Sequence, residues 1–400
     1  MTHGLRPKIE ALYPKLVDRR RDFHRHPELA YEEVRTAGIV AEWCRELGLA
    51  VETGIGQTGV IARLERGKGK RVALRADMDA LPIQDAKSCD YKSTIPGKMH
   101  ACGHDVHTTM LLGVASVLVS LGDAVPGNVT FVFQPAEEGR GGALPMIAGG
   151  ALDGVDLVLG QHMGPTHPTG VIAVSEGPAM AAADFFELEI IGDGGHGAYP
   201  HLARDPLPVA AEIVTALQTI VSRTVDPLAS AVVTLGTIHG GFRNNVIAPS
   251  VVMTGTVRTF DPGLRLAVRD RVARLVRGIT EAHGLTHRLD YTLNYPPTIN
   301  HRQGVALVDA TARDVLGEDG IRHIPPSMGG EDFAYYLEKK PGAFYWLGCR
   351  PHEGAANIHH PEFDVDERAM VVGVEVMAEA ALRFLEGGFL EGGFLEDGVT

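Results

Sequence analysis

Residues 71–79 read Arg-Val-Ala-Leu-Arg-Ala-Asp-Met-Asp. After Arg71 the run is nearly all apolar to Ala76, and two carboxylates follow at once. A strand of that composition fits the centre of a parallel sheet, buried on both faces. Asp77 and Asp79 then stand past its carboxyl end, where open α/β sheets gather their ligands. Working outward, 58–64, 129–133 and 155–160 read as further strands. Pro7 to His24 and Glu32 to Leu47 read as amphipathic helices, the second stopped by Gly48. Asp105 is expected to N-cap a helix carrying Met110, Leu111, Val114, Val117 and Leu118. Strands alternating with helices predict an α/β domain.

The pattern changes near residue 183. A strand over 185–191 is followed by a helix after Pro208, strands near 231–238 and 251–258, a helix over 264–283 and a strand near 287–293. Strand–helix–strand–strand–helix–strand is the order of a ferredoxin-like α+β unit. The expected organisation is a discontinuous catalytic domain, 1–182 plus 297–400, with a second domain, 183–296, inserted and Pro296-Pro297 as a stiff boundary. The α/β pattern resumes with a helix at 303–316, a strand at 343–347 and a closing helix from Glu367 to Leu385. The tail repeats Phe-Leu-Glu-Gly-Gly, which reads as disordered over 386–400 or as a packing segment.

Four hundred residues suit two cores better than one. A formal net charge of -13, without any basic block, makes nucleic acid and anionic membranes poor partners. No window approaches the roughly 20 apolar residues of a membrane span. Charges scattered from Met1 to Arg21 do not read as a signal peptide. Cys44, Cys89, Cys102 and Cys349 show no paired spacing, so a reducing, cytoplasmic setting is expected.

The 18 histidines are many for this length, and several cluster with acids and a cysteine. Candidate ligands fall in five segments: Asp77-Met78-Asp79, Cys102-Gly103-His104-Asp105, Glu137-Glu138, His162 and His359-His360. Strands expected to end at Ala76, Phe133 and Gly160 deliver three of these to one sheet edge. Thiolate, imidazole and carboxylate are the usual zinc donors, and so many donors suit two ions better than one. A thiolate favours zinc, with manganese as the alternative. Glu137 and Glu138 are adjacent and diverge in extended backbone, so one can ligate while the other moves a proton. Taken singly, each has a plainer reading: a structural histidine, a solvated Glu pair, a turn.

At these residues the chain resembles the amidohydrolase branch of the aminoacylase/carboxypeptidase-G-type metallopeptidases, which includes hippurate hydrolases and auxin–amino-acid conjugate hydrolases. The matching segments include 20–33, 74–83, 99–108, 133–139, 160–165, 194–201, 245–248, 255–260, 328–336 and 359–367, in order along nearly the whole chain. The resemblance implies a zinc-exopeptidase-like α/β fold with a ferredoxin-like lid and dimerisation domain, and hydrolysis of small N-acyl amino acids. It implies two divalent ions held by Cys102, His104, Glu138, His162 and His359, with Glu137 as general base and acid. Asp79 would orient a ligand, and Asp77, where the wider superfamily has a histidine, would be a near-site carboxylate supporting the ligands. His196 would reach the site of a second copy and stabilise the oxyanion, with Asn245 beside it. Arg258 and Gly329-Gly330 would hold the substrate carboxylate. His24, His26, His100, His107 and His360 read as supporting or packing residues. The rival expectations are a dipeptidase or aminopeptidase on the same scaffold, and a non-catalytic metal- or small-molecule-binding protein.

Overall fold

A computed structural model describes residues 2–139 and 141–387. The chain divides into two compact units, one comprising Met1–Ala179, Ile299–Pro325 and Tyr335–Thr400, the other Met180–Thr298 and Pro326–Ala334. In chain order the elements begin with α1 (Arg6–Arg25), α2 (Val34–Glu46), β1 (Ala50–Ile55), β2 (Gly59–Leu64) and β3 (Arg71–Asp77). They continue with α3 (His104–Ser120), β4 (Asn128–Gln134), α4 (Ala143–Ala148), β5 (Leu157–Pro168), β6 (Ile172–Val174) and β7 (Gly177–Met180). Next come β8 (Ala182–Ile191), β9 (Gly195–His196), α5 (Pro206–Thr219), β10 (Ala231–Gly240), β11 (Val246–Ile247), β12 (Ser250–Thr259), α6 (Pro262–Ala282) and β13 (Thr286–Tyr295). The last are β14 (Thr298–Asn300), α7 (Arg302–Leu316), β15 (Ile321–His323), α8 (Ala334–Leu337), β16 (Gly342–Arg350) and α9 (Ala369–Leu385). The Phe-Leu-Glu-Gly-Gly repeat expected to be disordered lies, from residue 388 on, outside the described residues.

The first unit is built on a mixed sheet in the order β1-β2-β4-β3-β5-β16-β6-β15. The apolar run of β3 lies inside it, parallel to β4 from Arg71↔Asn128 to Asp77↔Gln134 and parallel to β5 from Val72↔Leu157 to Arg75↔Gly160. Its Val72, Leu74 and Ala76 join Phe131 and Phe133 of β4 in the core. Helix α3 packs against α1 and α9 and is buried almost all round, from His104 to Leu118. Burying Val106, Met110, Leu111 and Val114 contributes roughly 1.5–3 kcal/mol per side chain. The approach of α3 to α9 is close because each helix places a glycine at the crossing. A Cβ on Gly113 would lie 2.9 Å from Val374, and one on Gly373 would lie 2.4 Å from the Met110 sulfur.

Several sequence expectations need correction. Asp105 does not cap α3; Gly103, at φ +88°, is the capping position and His104 is already helical. Asp105 sits in the first turn because its carboxylate is claimed by Arg20 and His24 of α1. His162 does not follow a strand ending at Gly160. β5 runs on to Pro168 because β16 pairs alongside it in parallel, Trp346 opposite His162. Glu137 and Glu138 are in a turn, not in extended backbone.

The second unit has a four-stranded antiparallel sheet in the order β10-β12-β8-β13. Alternate residues of β8 (Phe186, Leu188 and Ile190) point into a separate core with Val209, Ile213 and Leu217 of α5 and Val268, Val272 and Val276 of α6. Asp205 and Asp261 cap these two helices by accepting from Leu207 N and Leu264 N. Among the described residues, no helix is long and apolar enough to cross a membrane.

Candidate metal centre

The first unit draws together the residues picked out at the sheet edge. Ligand atoms of Cys102, His104 and His162 lie within 4.8 Å of one another, and so do those of Cys102, Glu138 and His359. The two triads share the Cys102 thiol. His104, Glu137 and Glu138 form a third group at the same spacing. Individual separations are 3.4 Å from Cys102 Sγ to His162 Nε2, 3.2 Å from His359 Nε2 to Glu138 Oε1, and 3.9 Å from His104 Nε2 to that oxygen.

Local structure aims each donor. Gly103 brings the loop so close to β5 that a Cβ there would stand 2.7 Å from Met163 Cγ. Cys102 therefore precedes α3 by one left-handed residue, and His104 opens the helix. Asp79 organises the rest. Its Oδ1 takes the Glu137 amide at 3.1 Å and its Oδ2 the Glu138 amide at 3.0 Å. Its Oδ1 also stands 3.3 Å from His104 Nδ1, which leaves Nε2 facing the cluster. The turn before the glutamates puts Ala136 at φ +57°, a conformation that costs a non-glycine residue energy. Buried Glu33 holds it there, accepting from Ala136 N at 2.9 Å and from Thr58 Oγ1 at 2.6 Å. His359 is also left-handed, at φ +63°, and its amide donates to Ala101 O at 2.7 Å.

The electrostatics are those of a site built around positive charge. Burial opposes ionisation of His104, but Asp77, Asp79 and Glu138 outweigh it and push its pKa up to about 10. Burial, with Glu138 and Glu137, pushes the Cys102 thiol well above its ordinary value. Burial drives His162 well below the ordinary histidine range, helped by the proximity of His107. Burial would raise Glu138, yet His359 and His104 hold it below the ordinary glutamate value. His104 Nε2 and Glu138 Oε1 are buried with no hydrogen-bond partner. Unpaired buried polar atoms cost free energy, and a divalent cation would satisfy both. Soft sulfur, imidazole and carboxylate together are a transition-metal donor set, so these residues fit the implied metal.

The remaining predicted residues lie in the second unit. His196 is in a two-residue ribbon opposite Val246, and Gly197 N donates to Asn245 O at 2.8 Å, so His196 and Asn245 are neighbours. Arg258 is half-buried above the Phe185 ring, 5.6 Å from its centroid, with hydrogen bonds to Thr256 Oγ1 and Val257 O. Gly329 O accepts from Ala181 N at 2.9 Å. A Cβ on Gly330 would stand 2.6 Å from that of Ala183.

Two supporting residues hold partners that the sequence did not disclose. His107 Nδ1 donates to Asp77 Oδ1 at 2.6 Å, and its Nε2 accepts from the Met163 amide at 2.9 Å. Its position three residues after His104 puts both on one helix face, a signal available beforehand alongside the resemblance. Glu33 left no signal, because its partner, the Ala136 amide, is 103 residues away.

The model of Peptidase family M20/M25/M40 matches residues 73–383. The chain is 41% identical over 381 residues to N-acetyl-L-cysteine deacetylase of Bacillus subtilis, covering 94% of this chain and 90% of that protein. It is 38% identical to IAA-amino acid hydrolase ILR1-like 5 of Arabidopsis thaliana, covering 94% and 88% respectively. The crystal structure of the Bacillus subtilis YXEP protein, described as a dinuclear metal binding peptidase of the M20 family, superposes with a TM-score of 0.83 at 37% identity, covering 94% of this chain and 99% of that one.

Proposed function

Because the chain belongs to peptidase family M20/M25/M40, we propose that it is a dinuclear metal amidohydrolase splitting N-acyl amino acids into a carboxylic acid and an amino acid. The observation that carries this reading is the convergence of Cys102, His104, Glu138, His162 and His359 beside Glu137. Two relatives are named for amides whose amine component is an amino acid, which supports the substrate class. The thiol favours zinc, with manganese the alternative.

When bound, the divalent ions would supply Lewis acidity to the scissile carbonyl and acidify water toward neutrality. Cys102, His104, Glu138, His162 and His359 would hold them. Glu137 is buried beside Glu138, with its backbone fixed by Asp79, and takes the proton from attacking water. The same carboxyl then returns a proton to the leaving amine. His196 Nδ1 accepts from Ala198 N at 3.0 Å, so the proton sits on Nε2 and faces outward as a donor. This supports its assignment, beside Asn245, to the oxyanion of a second copy. Arg258 has no carboxylate at ion-pair distance among the described residues, and burial lowers its pKa, so a substrate carboxylate is a fitting partner. Gly329-Gly330 would line that subsite.

The βαββαβ order of the second unit supports reading it as a ferredoxin-like lid and dimerisation domain. Leu202, Leu228 and Phe242 are 77%, 95% and 76% exposed there, apolar surface that a homodimer would bury. Four free cysteines support a reducing, cytoplasmic setting.

The deciding experiment is hydrolysis of N-acetyl and N-benzoyl amino acids compared with free dipeptides, with zinc or manganese added to chelator-stripped protein. Metal-dependent release of amino acid from the N-acyl substrates supports the proposal. Turnover of dipeptides alone, or bound metal without turnover of any amide, overturns it.

A further inference from the structure

Asp77 and His107 lie against the ligand cluster, and with His104 their ligand atoms also fall within 4.8 Å of one another. By residue type they are candidate ligands. Their hydrogen bonds say otherwise. Asp77 Oδ2 is 2.8 Å from Arg75 Nη1, and Asp77 Oδ1 is 2.6 Å from His107 Nδ1. This carboxylate is held by a buried guanidinium and an imidazole, and its Oδ2 stands 3.5 Å from Nε2 of His104, a proposed ligand that it can support through charge. His107 is engaged on both sides too. Met163 N donates to its Nε2 at 2.9 Å, so that nitrogen is the acceptor and Nδ1 carries the proton given to Asp77.

The Met163 amide needs such a partner for a reason of topology. β3 pairs with β5 only as far as Arg75↔Gly160. Beyond that point β5 continues with β16 on its other side alone. The imidazole of His107 occupies the place that a carbonyl of the neighbouring strand would take. The peptide it anchors is the one next to His162. His162 Nδ1 in turn donates to Met163 O at 2.9 Å, which leaves Nε2 as the lone-pair nitrogen, 3.4 Å from Cys102 Sγ.

We propose that Arg75, Asp77, His107 and the Met163 backbone form a positioning relay that fixes the ring and tautomer of His162, and that Asp77 and His107 do not themselves ligate metal. The inference rests on the reading of His162 as a ligand and goes beyond it. Partners that orient ligands through hydrogen bonds are typically worth roughly 10–100-fold in metal affinity.

The test compares two amides that differ in reach. In His107→Gln the side-chain amide extends to the position of Nε2 and can accept from Met163 N. In His107→Asn it is one methylene shorter and reaches only the Nδ1 position, toward Asp77. Two readouts apply. In chelated protein, exchange of the Met163 amide should stay slow in H107Q and become fast in H107N. In zinc titrations against a chromophoric chelator, H107N should bind one equivalent roughly 10–100-fold more weakly, with H107Q close to wild type and the other equivalent unchanged. Equal exchange or equal zinc affinity in the two variants overturns the relay, as does loss of one equivalent in both. The wild-type titration tests the parent reading separately. No zinc uptake there would overturn ligation by His162, while the exchange contrast would still report whether the hydrogen bond exists.

Discussion

Glu137 and Glu138 are chemically identical, and only their surroundings separate their tasks. Glu138 faces His359 and His104 across 3.2 and 3.9 Å, as a ligand should. Glu137→Gln should therefore keep full metal content and lose roughly 10²–10⁴-fold in kcat, the usual worth of a general base. Steady-state kinetics with metal analysis of the same sample checks this, and near-normal turnover removes Glu137 from the role. His104 gives a second expectation. Its pKa, about 10 without metal, is raised above the unfolded value of about 6.5. The protonated form thus stabilises the metal-free fold fully below about 6.5, and that contribution fades as pH rises through about 10. Loading at pH 7 must expel this proton and the one on the Cys102 thiol, so metal affinity should rise as pH rises above 7. Calorimetric titration in buffers of different ionisation enthalpy counts the protons, and no buffer dependence would refute the assignment. The segments that converge were legible in the sequence because their thiol, imidazole and carboxylate groups stand at expected strand ends and before a helix, and the resemblance singled out the five proposed ligands among them. A supporting place for Asp77 and His107 was expected, but the atoms they hold were not legible, since these include a backbone amide 56 residues from His107.

Helix α3 shows what the sequence reveals about an element and what it conceals. Its apolar pattern marks it as buried, but Asp105 looks like an N-cap when its carboxylate is spent elsewhere. Asp105 Oδ2 is 2.7 Å from His24 Nδ1 and 2.9 Å from Arg20 Nε. Arg20, with no exposed surface, also meets Asp364 and Glu367 at 3.2 Å each. This network ties α1 to the first turn of α3 and to the segment after His359. Burial would raise the Asp105 pKa, but Arg20 and His24 depress it far below the ordinary carboxylate value. A depressed pKa contributes stability above the unfolded value of about 3.9, lost only as pH falls through the folded value. Asp105→Asn removes that contribution at neutral pH and leaves Arg20 short of one buried counter-charge. The expected cost is about 3–5 kcal/mol. Urea unfolding at pH 7 measures it, and a change below about 1 kcal/mol would mean that Asp364 and Glu367 suffice for Arg20.

At the scale of the molecule, the change of pattern near residue 183 was readable because a helix–strand alternation gives way to strands half-buried against two helices. The return of 326–334 to the second unit was not, since that segment has no periodicity and is placed by contacts such as Ala181 N to Ser327 O at 3.0 Å. The two units have separate hydrophobic cores, and every proposed metal ligand belongs to the first. Anything that binds only the folded form stabilises it, by about 2.7 kcal/mol at a hundredfold excess over Kd. That stabilisation should appear in the unit that makes the site. Scanning calorimetry of metal-loaded protein should therefore resolve two transitions, of which chelation lowers one by roughly 5–10 °C and leaves the other in place. Isolated substitutions assign them: Val272→Ala in the second core should lower the transition that ignores chelator. A single transition shifted as a whole by chelation would show instead that the units unfold together, and that metal stabilises residues far from any ligand.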